Sequence, residues 1–148
     1  MTTSIYEAAG GRQAFIDLAQ AWHALCLDDP IVSHAFSSGY HPQHSERLAA
    51  YWAEALGGPA DYSDAMGNES GVRRMHSGNG KHAEMDERAQ ELFALALDDA
   101  DLPSDPLLRS ALQNYFRWAT VEMAANPESA DDVPEGLQLG RWSWDGPT

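Results

Sequence analysis

Val72-Arg73-Arg74-Met75-His76-Ser77-Gly78-Asn79-Gly80 sets a histidine and two arginines at the mouth of a glycine-rich turn. The segments on either side, 43–56 and 84–101, carry apolar residues at helical spacing. A histidine held between two helices, with cations beside it, suits an axial ligand to the iron of an anionic cofactor such as haem, whose propionates take basic partners. The same residues also suit a histidine that caps a helix end in an ordinary loop.

Working outward, the chain reads as helices separated by punctuation, with almost no apolar alternation of period two. Residues 12–27 bring Phe15, Leu18, Ala19, Trp22, Leu25 and Cys26 onto one stripe, and Asp28-Asp29-Pro30 ends it. A short segment, 30–36, leads to a loop ending in Pro42, which can open the next helix. Residues 43–56 show His44, Leu48, Tyr51, Trp52 and Ala55 on one face, and Gly57-Gly58-Pro59 stops them. The stretch 60–83 is expected to be a long irregular loop. Helices over 84–101 and 106–125 follow, the second capped by Ser104-Asp105 before Pro106 and ended by Asn126-Pro127. The tail is acidic, then apolar around Arg141-Trp142-Ser143-Trp144, and is expected to pack on the surface because two indoles are costly to leave in water. No internal repeat is present.

Composition narrows the function classes. A length of 148 residues suits one domain with a real core. No apolar run reaches the roughly 18 residues of a membrane span. The first residues lack the basic, apolar, small-residue order of a signal peptide, so none is expected. The single cysteine, Cys26, rules out an internal disulfide framework, fits a reducing, cytoplasmic compartment, and reads as a small core residue rather than a nucleophile. A net charge of −14 argues against nucleic acid or anionic lipid as a partner. There is no Gly-x-Ser-x-Gly and no phosphate-binding glycine loop after a strand. The acidic clusters Asp98-Asp99-Ala100-Asp101 and Asp131-Asp132 lack the spacing of a calcium loop.

Six histidines remain: His23, His34, His41, His44, His76 and His82. His44 lies on the apolar face of its helix and His23 on the flank of the first stripe. An imidazole facing a core costs roughly 1–3 kcal/mol unless paired, so each implies a partner or a ligand. With His76 they could surround one pocket. A non-haem metal site on His41-x-x-His44 or on His76 and His82 is the competing reading, but no helical i, i+4 histidine pair with a placed carboxylate supports it.

The order of these signals resembles the truncated haemoglobins, group II, a branch common in bacteria. Ser4-Ile5-Tyr6-Glu7-Ala8-Ala9-Gly10-Gly11 looks like that family's start, a very short helix closed by a double glycine. Arg47-Leu48 through Tyr51-Trp52 to Gly57-Gly58-Pro59 and Tyr62-Ser63 matches its helix over the haem, and Val72-Arg73-Arg74-Met75-His76 matches the segment delivering the proximal histidine. Residues 92–125 follow its last two helices, and Gly140-Arg141-Trp142-Ser143-Trp144 resembles an extension of some actinobacterial members.

The resemblance implies an all-α truncated globin: a two-over-two helical sandwich over residues 1–126, with an irregular C-terminal extension, 127–148, packed on it. It implies haem b with His76 on the iron, Phe36 packed on the porphyrin, and His23, His44 and Leu48 lining the distal side where O2, NO or CO binds. Tyr62 and Arg73, with Arg74 less firmly, fall near the propionates. The expected function is binding of diatomic gases, with oxygen transport as the family's usual description. NO dioxygenase or peroxidase-like turnover would need an electron-donating reductase. A globin-like module without haem, acting through its tail tryptophans, is the alternative from another class, and a homodimer is the assembly considered.

Two departures stand out. The family usually carries Tyr where this chain has His23, and a bulky aromatic, often Trp, where it has Ala89 and Gln90. A roomier or wetter distal pocket is expected, and either distal imidazole is a candidate sixth ligand to iron.

Overall fold

The computed structural model describes residues 3–36, 39–77, 83–125 and 129–148. Among them seven helices form: α1 (Ile5–Ala9), α2 (Arg12–Asp28), α3 (His44–Ala55), α4 (Asp61–Ala65), α5 (Glu69–His76), α6 (Ala83–Asp99) and α7 (Pro106–Ala124). Short 3-10 turns cover Val32–Phe36 and Ala130–Asp132, and a two-stranded hairpin, β1 (Trp142–Ser143) and β2 (Gly146–Pro147), lies near the end. None of these helices is long and apolar enough to cross a membrane.

The four long helices stand where the apolar periodicity puts them: α2 and α7 start at the expected Arg12 and Pro106, and the other ends shift by a residue or two. Ser4 caps α1 by accepting from the Glu7 N–H at 3.1 Å, and Gly10 and Gly11 follow with φ of +121° and +78°, a conformation that explains the double glycine. Asp105 caps α7 through the Leu107 N–H at 3.0 Å, ahead of Pro106. α3 begins at His44 rather than at Pro42, whose neighbour His41 accepts from the His44 N–H at 2.9 Å.

α2 packs on α3 and on α6, and α6 packs on α7, giving the paired helices of the expected all-α sandwich. The core is aromatic at its centre. Phe93 and Phe116 stack at 4.3 Å, and Trp52 meets Phe93 edge-on at 5.4 Å. A second small cluster of Cys26, Val32 and Leu92 lies under the first 3-10 turn. Asp29, buried at the end of α2, accepts from the Ile31 and Val32 N–H groups and from Arg88 of α6 at 2.6 Å, fixing that turn to the bundle.

Two expectations are corrected. The stretch 60–83 is not irregular: α4 and α5 form within it. Asn68 caps α5 by accepting from the Gly71 N–H at 2.8 Å, and the buried Glu54 accepts from the Ser63 N–H at 2.9 Å to hold α4. Helices of five and eight residues show too few turns for an apolar period to emerge. The tail is not wholly irregular either. Its hairpin forms because Trp142 packs on Trp118 at 5.4 Å, and Gly140 runs so close to Trp118 that an added Cβ would lie 2.6 Å from the ring. Trp144 donates through Nε1 to the Thr3 carbonyl at 2.7 Å. The expected punctuation at Ser37-Ser38, Gly78-Asn79-Gly80 and Asn126-Pro127, and His82, lie outside the described residues.

Gly58 gives a direct test of this packing. A Cβ there would come within 2.6 Å of the Tyr6 ring and 2.7 Å of the Ala53 carbonyl oxygen, and backbone cannot swing away. Gly58→Ala is expected to destabilise the chain by about 1–3 kcal/mol in denaturant titration. An unchanged midpoint would show that α1 is not held against the end of α3.

Candidate functional site

α2, the first 3-10 turn and the start of α3 converge on one cluster of rings. His23 and His44 lie 4.5 Å apart, centroid to centroid. Phe36 stands edge-on to both, 5.0 Å from His23 and 5.3 Å from His44. Tyr40, half-exposed, closes the group 4.6 Å from His23. Leu48, one turn further along α3, is half-buried against the main core. The structure therefore brings together three of the residues singled out by sequence, His23, Phe36 and His44.

The Nδ1 atoms of His23 and His44 are buried and have no hydrogen-bond partner among the described residues. Burial lowers the pKa of His23 below its ordinary value. Burial lowers that of His44 further, to about 4, with the neighbouring His23 and His41 adding to the effect. Both rings are neutral at pH 7, so each can donate or accept, and each holds an unmet polar atom. A buried polar atom left unpaired costs about 1–3 kcal/mol, which a polar ligand beside it would offset.

His76 is the last residue of α5 and is exposed. Its Nδ1 lies 2.8 Å from the Val72 carbonyl oxygen, one turn back. A carbonyl only accepts, so Nδ1 carries the hydrogen, and in the neutral ring Nε2 is then the nitrogen with the lone pair a metal needs. This N–H···O=C bond also fixes the ring's rotation about the helix end.

The basic residues beside His76 are engaged with protein acceptors. Arg73 donates to the Glu122 carbonyl at 3.0 Å and pairs with the carboxylates of Glu69 and Glu122 at 3.3 and 3.4 Å. Arg74 pairs with Glu135 of the tail at 2.6 Å. Tyr62 is only 4% exposed, edge-on to Tyr51 at 5.3 Å. Arg47 lies over the Tyr62 ring at 5.8 Å and donates to the Met66 carbonyl at 2.7 Å.

The roles of three groups escaped the sequence reading. Tyr40 sits in a loop, where no periodicity reports which way a ring faces. Arg47 enters the sequence reading only as part of the helix match, and its contact with the Tyr62 ring emerges only in the fold. Glu69, 3% exposed, accepts from the Tyr51 hydroxyl at 2.6 Å, and nothing local marks it as buried. The departures in the sequence take physical form too. Ala89 leaves the α6 backbone open, and the Trp22 indole of α2 donates to its carbonyl at 3.2 Å. Cys26 is fully buried and its thiol is pushed up to about 12 by burial and by Asp29, as suits an inert core residue. Among the described residues no three His, Cys, Asp or Glu side chains gather as a metal cluster, and His41 Nδ1 instead accepts from the Gln43 N–H at 3.0 Å.

The donor types present fit an iron porphyrin: an exposed imidazole whose Nδ1 is tied to a carbonyl, an aromatic ring at Phe36, and two buried imidazole nitrogens without partners among the described residues. The neutral pair also sets a pH signature. An unfolded chain protonates His44 near 6.5, the folded chain only near 4. Between those values the unfolded state binds more protons, so stability is full above about 6.5 and falls as pH drops towards 4. The denaturation midpoint of the cofactor-free chain is expected to decline across that window, and His44→Gln to flatten the decline. A wild-type midpoint constant over the window would contradict a buried neutral His44.

The same fold occurs in known proteins. The family model for bacterial-like globins matches residues 4–122. The structure is similar to a haemoglobin from Chloroflexus aurantiacus (28% identity, 82% of this chain and 98% of that one, TM-score 0.69). It is similar to a thermostable haemoglobin from Thermobifida fusca (29% identity, 85% and 100%, TM-score 0.68). It shares its fold with the group II truncated haemoglobin of Bacillus anthracis (19% identity, 86% and 95%, TM-score 0.72). No curated protein matches the chain. A short capped first helix with its double glycine, four long helices in pairs, and a histidine delivered at the end of a short helix thus have one explanation: the chain belongs to the bacterial-like globin family.

Proposed function

We propose that this globin binds haem b through Nε2 of His76 and takes up diatomic gases. The observation that carries the reading is the 2.8 Å contact between His76 Nδ1 and the Val72 carbonyl, which orients the ring and turns Nε2 to the role of ligand atom in the neutral imidazole. Haem, when bound, supplies an iron atom able to take O2, NO or CO. Phe36 would form the aromatic wall against the porphyrin, with Leu48 the aliphatic one. His23 and His44 would face the gas, their unpaired Nδ1 atoms offering a hydrogen bond to a polar diatomic. Arg73 and Tyr62, and less directly Arg74, would meet the propionates only by leaving the protein contacts they make here.

Residues 1–126 would then be the haem-binding domain and 127–148 an extension that braces it. A cytoplasmic location suits the buried, unreactive Cys26. Two neutral imidazoles side by side also suit proton movement, so turnover of NO or peroxide is the second reading, with electrons from a partner reductase. The module acting through the tail tryptophans keeps only Trp144 as an exposed indole, because Trp142 is half-buried between Tyr115 and Trp118.

Absorption spectra of the full chain with haemin, in ferric, reduced and carbon-monoxide forms, test the proposal. A sharp Soret band that moves with carbon monoxide is expected, and His76→Ala should abolish stable uptake. A band equally sharp in His76→Ala would refute His76 as the ligand. His23→Ala and His44→Ala separate a sixth ligand from a hydrogen-bond donor: the first converts a low-spin ferric spectrum to high-spin, the second leaves spin state unchanged and alters gas release.

A further inference from the structure

α5 is placed by polar contacts. It has eight residues, and its buried side chains are Glu69, Ser70 and Val72. So short a helix is marginal by itself, and one buried aliphatic side chain adds little to hold it. Ser70 is fully buried, and its hydroxyl works in both directions. It donates to the Pro134 carbonyl at 2.7 Å and accepts from the Leu137 N–H at 3.1 Å. One turn on, on the same face, Arg74 reaches Glu135 at 2.6 Å and the Val133 carbonyl at 3.5 Å. Val133 is itself buried, anchoring the strand of tail that makes these contacts. The tail is thus stitched to the helix that ends in His76.

We propose that segment 133–137 is a positioning element for His76, acting through Ser70 and Arg74. The inference rests on His76 being the haem ligand. By fixing the roll and tilt of α5, the tail sets how the imidazole meets the iron. Neither Ser70 nor Arg74 needs to touch the cofactor. A short polar helix without this brace would let the ligand swing, weakening the bond and letting haem escape.

The experiment uses the full chain loaded with haemin, comparing wild type with Ser70→Ala and Glu135→Gln. It reads the iron–histidine stretching band of the reduced protein, the rate of haem transfer to an excess of a scavenging apoprotein, and the denaturation midpoint. Ser70→Ala should shift or broaden the band and speed haem transfer about tenfold, the expected result of leaving the Pro134 carbonyl and the Leu137 N–H without their shared partner. Glu135→Gln, on an exposed side chain that cannot block folding, should speed transfer about two- to threefold. If Ser70→Ala does not fold, the Glu135→Gln result alone decides. Wild-type band and transfer rate in the folded variants overturn the proposal, as does faster transfer with an unmoved band that only follows a lower midpoint. A wild-type chain that takes up no haem overturns the cofactor reading and this inference together, whereas haem uptake with unchanged variants overturns this inference alone.

Discussion

The carboxylate of Glu69 is the point on which three parts of the molecule depend. A buried charge is tolerated only with close partners, and losing one of them costs about 3–5 kcal/mol. Here the Tyr51 hydroxyl of α3 donates at 2.6 Å and the Arg73 guanidinium of α5 lies at 3.3 Å. Arg73 in turn reaches Glu122 on α7. The phenol of Tyr51 is held protonated by burial and by Tyr115 and Glu69 beside it, so it stays a donor. Through this node the helix that ends in His76 is tied to both halves of the bundle, although it contributes almost no apolar surface of its own.

A chain with 23 acidic and nine basic residues pairs most of its described arginines with protein acceptors. Arg88 joins α6 to Asp29 at the end of α2, Arg109 joins α7 to Asp98 of α6, and Arg74 joins α5 to the tail. Arg88 and Arg74 link residues 59 and 61 positions apart, whereas Arg109 joins consecutive helices. This division of labour bears on the cofactor reading: the arginines next to His76 look, in sequence, like free anion partners, yet in the fold they carry structural contacts.

Long-range pairing of this kind is what a sequence hides. The helices α2, α3, α6 and α7 were legible because each repeats its apolar stripe over three turns or more, and their ends carry Asp29-Pro30, Gly57-Gly58-Pro59 and Asp105-Pro106. α4 and α5 were not, since they are short and bury Tyr62, Glu69 and Ser70 in place of an aliphatic run. Within the site, His23 and His44 betrayed themselves as imidazoles on apolar faces, and His76 by its setting before a glycine-rich turn. Tyr40 gave no such sign, and neither did the partners of Arg73, which come from α5 itself and from α7. The pairing of His23 with His44 is likewise a fact of three dimensions, because it depends on how α2 crosses the start of α3.

The hydrogen bond from Trp144 to Thr3 bears on the order in which the molecule assembles. It joins positions 141 residues apart. Closing so long a loop is entropically unfavourable until the helices between have already shortened it. During synthesis α1 can dock early, since the Tyr6 N–H already meets the Leu56 carbonyl at 3.0 Å. The face of α7 carrying Trp118, however, stays open to water until Trp142 has emerged and folded back. The seam between Trp144 and Thr3 thus closes only once the tail has been made, with later residues folding over earlier ones.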